Sequence, residues 1–224
     1  LTVLDRLKKL FKGSASEKEL ESKFNKIYEK NLFKGKESIS GPGSDLKQTE
    51  VVRAELPRVL KKYGIHTMID APCGDFFWMR ELKLDVNYIG LDIVQELTDK
   101  NKLQFGSEAR RFECADIVNG KLPSADLILC RDCLVHLTYD QAQKAIANFK
   151  LSGAKYLLTT TFPGRKNRDL GDIIWRPLDL QDAPFSFPSP LEIINEKCTE
   201  NDGRYSDKSL GLWRLSEIQT VFNS

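Results

Sequence analysis

The run Met68-Ile69-Asp70-Ala71-Pro72-Cys73-Gly74-Asp75, followed by Tyr88-Ile89-Gly90-Leu91-Asp92, constrains this chain more than any other feature. Each apolar run is strand-length and ends in an acid, and the Pro-Cys-Gly-Asp step between them reads as a tight turn. Residues Phe76–Lys83 read as a helix. Strand, turn, helix and strand make the first half of a nucleotide-binding βαβ unit. Such a unit fixes two parallel strands, with any ligand at their carboxyl ends. The turn carries an acid where a phosphate-binding loop would carry glycines, and that substitution decides what can bind there.

The alternation continues along the chain. Strands are expected at His66–Asp70, Asn87–Asp92, Ala109–Cys114, Ala125–Cys130 and Lys155–Thr160, and helices at Val94–Gln104 and Thr138–Phe149. Strands alternating with helices argue for a parallel, doubly wound sheet. Residues 163–190 are rich in Pro, Gly, Asp and Arg and read as a long irregular segment. Leu191–Cys198 and Ser209–Glu217 then look like strands, and their short connection makes them antiparallel. On the N-terminal side, Leu20, Phe24, Ile27, Tyr28 and Leu32 have helical spacing. A Gly- and Ser-rich loop spans 36–44, and a helix follows over Leu46–Tyr63 with a kink or break at Pro57. The expected architecture is α/β, a Rossmann-like, doubly wound, seven-stranded mixed sheet. It carries a C-terminal antiparallel strand pair and an N-terminal helical extension. Residues 1–45 form the extension and a loop over the cofactor, and residues 46–224 the main domain.

Bulk properties remove several function classes. The 224 residues carry a net charge of +2, and no cluster of Lys and Arg is interleaved with aromatics, which argues against a nucleic-acid partner. No apolar run approaches the roughly 18 residues of a membrane span. Five cysteines are an odd number, which favours reduced thiols and an intracellular, cytoplasmic location over a disulfide framework. The first residue is Leu1, so an upstream targeting or anchor segment stays open, as does the oligomeric state. Residues 1–11 put Leu1, Leu4, Leu7, Leu10 and Phe11 on one helical face. That face suits packing against protein better than lying on a membrane surface.

Ligands of open α/β sheets bind at strand carboxyl ends, and that rule nominates the binding residues. Asp70 ends the first strand. Pro72, Gly74 and Asp75 form the turn, and glycine there lets a ligand approach the backbone. Asp92, with Ile93 beside it, ends the second strand, where a carboxylate can accept from both ribose hydroxyls. Asp116 could accept from an adenine amino group, with Ile117 covering the ring. Arg131 and Asp132 follow the fourth strand. A dinucleotide needs its pyrophosphate cradled by G-x-G-x-x-G at a helix N-terminus. The corresponding Pro72-Cys73-Gly74-Asp75-Phe76-Phe77 lacks the second and third glycines, and Asp75 would repel a phosphate. S-adenosyl-L-methionine has no phosphate and carries a positive sulfonium and a positive amino group. Carboxylates attract both charges, so the residues favour it over NAD. Taken singly, Asp75 could be only a helix N-cap and Asp92 only a solvated strand-end acid.

The chain resembles the class I S-adenosylmethionine-dependent methyltransferases over roughly residues 46–217. The matching runs are Ile69–Asp75, Tyr88–Asp92, Cys114-Ala115-Asp116-Ile117 and Asp126–Asp132, with Cys133-Leu134-Val135-His136-Leu137 similar to the helix start after the fourth strand. The usual G-x-G departs to Pro-Cys-Gly-Asp. The resemblance implies ribose on Asp92, adenine on Asp116, and the methionine part against Ala71–Gly74 and Arg131. It also implies methyl transfer. The Asp-Pro-Pro-Tyr type of run that would point to nucleic-acid amino groups is absent. The loop at 36–44 and the segment at 163–190 are not general family features. They suggest a subgroup acting on small molecules or glycans, and oxygen methylation is the favoured chemistry.

Methyl transfer is an in-line displacement in which the protein mainly positions the nucleophile. A hydroxyl acceptor also gains from a base. His136 is the candidate, with Asp132 one helical turn earlier to orient its imidazole; a partly buried structural histidine is the alternative. Cys130-x-x-Cys133 supplies at most two zinc ligands, and no metal site is expected. Trp78 could flank the cofactor, Trp213 reads as core, and Trp175 could stack on a planar acceptor. Two other readings stay open: an NAD-type oxidoreductase, and a binding module that kept the fold without the chemistry.

Overall fold

The computed structural model describes residues 16–171 and 174–219. The expected helix over 1–11 lies outside them. Helix α1 (Ser16–Glu29) turns Leu20 and Ile27 inward, and α2 (Glu50–Lys62) buries Val52, Leu56, Val59 and Leu60 on one face. The sheet follows as β1 (Thr67–Asp70), β2 (Asn87–Asp92), helix α3 (Gln95–Phe105), β3 (Arg110–Cys114) and β4 (Leu127–Cys130). Then come helix α4 (Tyr139–Leu151), β5 (Tyr156–Thr161), β6 (Glu192–Asn195) and β7 (Ser209–Arg214). Thr138 and Gln141 form a reciprocal capping box at the start of α4, satisfying two backbone donors that the helix end would leave bare.

The seven strands run in the order β3-β2-β1-β4-β5-β7-β6. The first five are mutually parallel, and β7 pairs antiparallel with both β5 and β6. The mixed, doubly wound sheet and its C-terminal antiparallel pair therefore stand as the sequence implies. Alternation along the strands feeds two cores. Ile69, Ile89, Ile128, Leu157 and Trp213 pack with Ala142, Ile146 and Phe149 of α4 on one face. Met68, Tyr88, Leu127, Leu129 and Leu158 pack with α2 on the other. Strand order reverses between β1 and β4, which opens a crevice at their carboxyl ends.

Three local expectations need correction. No α-helix follows the turn after β1. Gly74 and Phe76 both adopt left-handed backbone (φ +53° and +58°), and only a single 3₁₀ turn forms at Met79–Glu81. Phe76 is thereby turned into the core against Tyr88, Phe105 and Phe112, so burial of one aromatic outweighs helix propagation. Trp78 sits on this turn rather than on a helix. Likewise, residues 134–136 form a 3₁₀ turn, not the start of α4. Finally, α2 begins at Glu50 and runs without a break through Pro57, which lies on its exposed face.

The described part of residues 163–190 contains no helix or strand, yet it is firmly packed. Arg176 is fully buried and donates to the Leu134 carbonyl at 2.8 Å, and Trp213 Nε1 donates to the Pro188 carbonyl at 2.8 Å. Trp213 also lies across Gly211, two residues away on the same face of β7. A Cβ on Gly211 would fall 2.1 Å from the indole. Gly211→Ala should therefore destabilise the chain by about 2 kcal/mol, read as a lower urea midpoint at unchanged m-value.

Candidate functional site

The parallel strands deliver their carboxyl-terminal residues to one edge of the sheet. An open cleft of about 1160 Å³ lies there. All eleven residues nominated from sequence line it: Asp70, Pro72, Gly74, Asp75, Asp92, Ile93, Asp116, Ile117, Arg131, Asp132 and His136. Residues the sequence did not nominate close its other side. They come from α1 (Leu20, Phe24, Tyr28) and from the following loop (Phe33, Ile39, Ser40).

Asp75 lines the cleft and has a structural task as well. Its Oδ1 accepts from Ser38 Oγ at 2.8 Å and its Oδ2 from the Ile39 backbone N–H at 3.0 Å. Ser40 Oγ donates to the same carboxylate and accepts from the Asp75 N–H at 3.2 Å. The carboxylate thus holds the 38–40 loop onto the turn. Gly74 is required beneath it, since a Cβ there would lie 2.1 Å from Ser40 Oγ.

Asp92 closes the turn from below. Its Oδ2 accepts from the Gly74 N–H at 3.1 Å and its Oδ1 from the Val94 N–H at 3.0 Å. Burial raises its pKa to about 6 despite those donors. Asp70 is raised to about 7 for the same reason, opposed by the Tyr88 hydroxyl, which donates to it at 2.7 Å. Asp116 folds onto its own turn, accepting from the backbone N–H groups of Val118 and Asn119. Ile117 is buried beside it.

Beyond β4 lies a buried charge network. Arg131 donates to Glu196 Oε2 at 2.7 Å and to the Gly43 carbonyl at 2.8 Å, and its plane lies 5.6 Å from the Trp78 ring centre. Lys208 donates to Asp132 Oδ2 at 2.5 Å and lies 3.5 Å from Glu196. Burial would raise Asp132, but Lys208 and Arg131 outweigh it and hold the carboxyl at about 2. The expected hydrogen bond from His136 to Asp132 does not form, because Asp132 is committed to these cations. Instead His136 Nδ1 lies 2.6 Å from the Ile174 carbonyl, and Phe33 packs on the ring at 4.9 Å. A carbonyl only accepts, so Nδ1 carries the proton and Nε2 keeps a lone pair. Burial lowers the imidazole pKa to about 4, which keeps it neutral at physiological pH.

Sequence reading missed Glu196 and Lys208. Each sits next to an apolar strand, β6 or β7, as Asp70 and Asp92 sit at the ends of β1 and β2. The same strand-end rule could have found them had those strands been placed beside β5. The Ser38 and Ser40 contacts had no sequence signal beyond loop composition. Cys130 and Cys133 are buried, free thiols.

No family model and no curated protein sequence matches the chain. Solved structures do. A Burkholderia thailandensis 1,6-didemethyltoxoflavin-N1-methyltransferase, solved with that compound and S-adenosylhomocysteine, superposes with a TM-score of 0.57 at 14% identity over 90% of each chain. The N-methyltransferase NodS of Bradyrhizobium japonicum WM9, bound to S-adenosylhomocysteine, gives 0.55 at 14% identity over 75% of this chain and 84% of its own. Magnesium protoporphyrin IX methyltransferase of Synechocystis PCC 6803 gives 0.50 at 14% identity, covering 74% and 82%. The chain therefore has the Rossmann-like fold of these class I methyltransferases.

Replacing Asp75 with Ala removes the charged acceptor that holds the loop. Amide exchange at Ile39 should accelerate by about tenfold or more. Unchanged exchange would show that the loop is held by other contacts.

Proposed function

We propose that this chain is an S-adenosylmethionine-dependent methyltransferase that methylates an oxygen of a small molecule or glycan. One observation carries the cofactor half of this reading. Five aspartates and a single arginine line the cleft, and that arginine is already paired with Glu196. Such a lining suits a cationic, phosphate-free ligand. A dinucleotide would place its pyrophosphate at a turn carrying Asp75, where no α-helix starts to offer its N-terminus. The bound relatives of this fold, solved with S-adenosylhomocysteine, support the same choice.

In this reading Asp92 receives the ribose hydroxyls, and Asp116 and Ile117 hold the adenine. The Ala71–Gly74 backbone with Asp70 faces the methionine part. Arg131 Nε, buried and without a partner among the described residues, can donate to the methionine carboxylate. We assign residues 16–45 the role of covering this site. When bound, S-adenosylmethionine would supply a methyl group on positive sulfur to the acceptor oxygen, the thioether leaving with the S–C electron pair. His136 Nε2 takes the proton of the acceptor hydroxyl. The Ile174 carbonyl fixes the imidazole tautomer, a role sequence gave to Asp132. Among the described residues no helix is long and apolar enough to cross a membrane. The odd number of thiols fits an intracellular, cytoplasmic setting.

Calorimetric titration tests the cofactor assignment: S-adenosylhomocysteine should bind and NADH should not, and the reverse would refute it. The pH dependence has a defined sign. Asp70 and Asp92, raised to about 7 and about 6, are increasingly protonated in the free protein as pH falls. A cationic ligand favours their ionised forms, so binding of S-adenosylmethionine should release protons and weaken about tenfold between pH 7 and pH 5. Titrations in buffers of different ionisation enthalpy read both effects.

A further inference from the structure

A second, half-open pocket, about 750 Å³ with the solvent at its mouth included, adjoins the first, and the two share Phe33, Ser40, Ser44, Asp132 and His136. Its far wall is aromatic. Trp175 meets Tyr205 at 4.8 Å and Phe162 at 5.8 Å, each edge to face. All three come from segments beyond β5, where the parallel part of the sheet ends.

The cavity floor is polar in an unusual way. A Cβ built on Gly43 would lie 3.2 Å from Asp132 Oδ2, 3.4 Å from Glu200 Oε2 and 3.4 Å from Lys208 Nζ. Two carboxylates and one ammonium thus converge beside Gly43, where a side chain would come into close contact with all three. Asp132 and Glu196 balance Lys208 and Arg131. Glu200 makes no salt bridge among the described residues, so the floor is close to neutral with one acid in excess.

This mixture discriminates between ligand chemistries. An ammonium could pair with Glu200, but it gives Lys208 no acceptor, and Lys208 already holds the cationic place on Asp132. A phosphate or carboxylate only accepts and would be opposed by Asp132 and Glu200. A hydroxyl both donates and accepts, so it is satisfied by carboxylates and ammonium together. Several hydroxyls on one side of a ring, with a C–H face for the aromatic wall, describe a sugar.

Resting on the proposed methyl transfer, we infer that the second cavity is the acceptor site and that it takes a neutral, polyhydroxylated ring of the pyranose type. Glu200, Asp132 and Lys208 read its hydroxyls, and Trp175 and Tyr205 pack on its C–H face. One hydroxyl is directed to His136, at the boundary of the two cavities. Trp175 and Glu200 set acceptor choice without touching the cofactor, since neither lines the first cleft.

The test is saturation-transfer NMR on the full chain with S-adenosylhomocysteine present, irradiating aromatic protons. The probes are methyl pyranosides of glucose, galactose, mannose and rhamnose, with catechol and benzylamine as the competing chemistries. At least one pyranoside should receive saturation at its ring C–H protons. Glu200→Gln and Trp175→Ala should each weaken that pyranoside about tenfold, with S-adenosylhomocysteine affinity in the same variants unchanged. Saturation of no pyranoside overturns the inference, as does pyranoside binding that survives both substitutions at full strength. The two readings fail separately. Pyranoside signals in a protein that does not bind S-adenosylhomocysteine remove the cofactor assignment and leave the sugar site. S-adenosylhomocysteine binding with no pyranoside signal does the reverse.

Discussion

The hold of the Asp75 carboxylate on Ser38, Ile39 and Ser40 is the contact on which the functional end of this molecule depends. It joins the N-terminal segment to the turn after β1, two stretches with no strand pairing between them. Charge-assisted hydrogen bonds of this kind are the strong ones, and here they are partly buried. Once the loop is seated, its continuation places Gly43 where its carbonyl accepts from Arg131 and its missing side chain leaves room beside Asp132. One loop thereby supplies a wall to both cavities. Seen this way, the acid in the turn does two things. It makes the turn hostile to phosphate, and it holds the cover of the cleft.

Electrostatics sets the second level of organisation. Arg131, Glu196, Lys208 and Asp132 are largely withdrawn from water, and such clusters seldom add net stability, because desolvation offsets the attraction. What the cluster does supply is position. Asp132 is fixed by two cations and cannot serve His136. The imidazole is oriented instead by the Ile174 carbonyl and the Phe33 ring. A carboxylate partner would raise the imidazole pKa; a carbonyl fixes the tautomer without adding a full charge. Neutral at working pH, His136 keeps its acceptor nitrogen.

Much of this was legible in the sequence, for a physical reason. Strand alternation fixes the sheet, and a parallel sheet fixes where strand-end residues go, so Asp70, Asp92, Asp116 and Arg131 could be brought to one cleft from their positions alone. What failed was local and depended on tertiary contacts. The missing helix after Asp75 follows from burying Phe76 at positive φ, which no periodicity announces. The Asp132–His136 pairing looked natural at helical spacing, but Asp132 itself adopts φ +52°, so the two are not on one helix. Lys208 and Glu196 reach Asp132 and Arg131 across more than sixty residues of chain. Pairings of that span become visible only when the order of the last two strands is known.

A structure of the chain with S-adenosylhomocysteine bound is the most direct measurement. It should place the ribose on Asp92, the adenine beside Asp116 and Ile117, and the sulfur toward His136 at the junction with the Trp175 cavity. Adenine seated in the Trp175 cavity, or a ligand that leaves Asp92 untouched, would contradict the assignment of the two clefts.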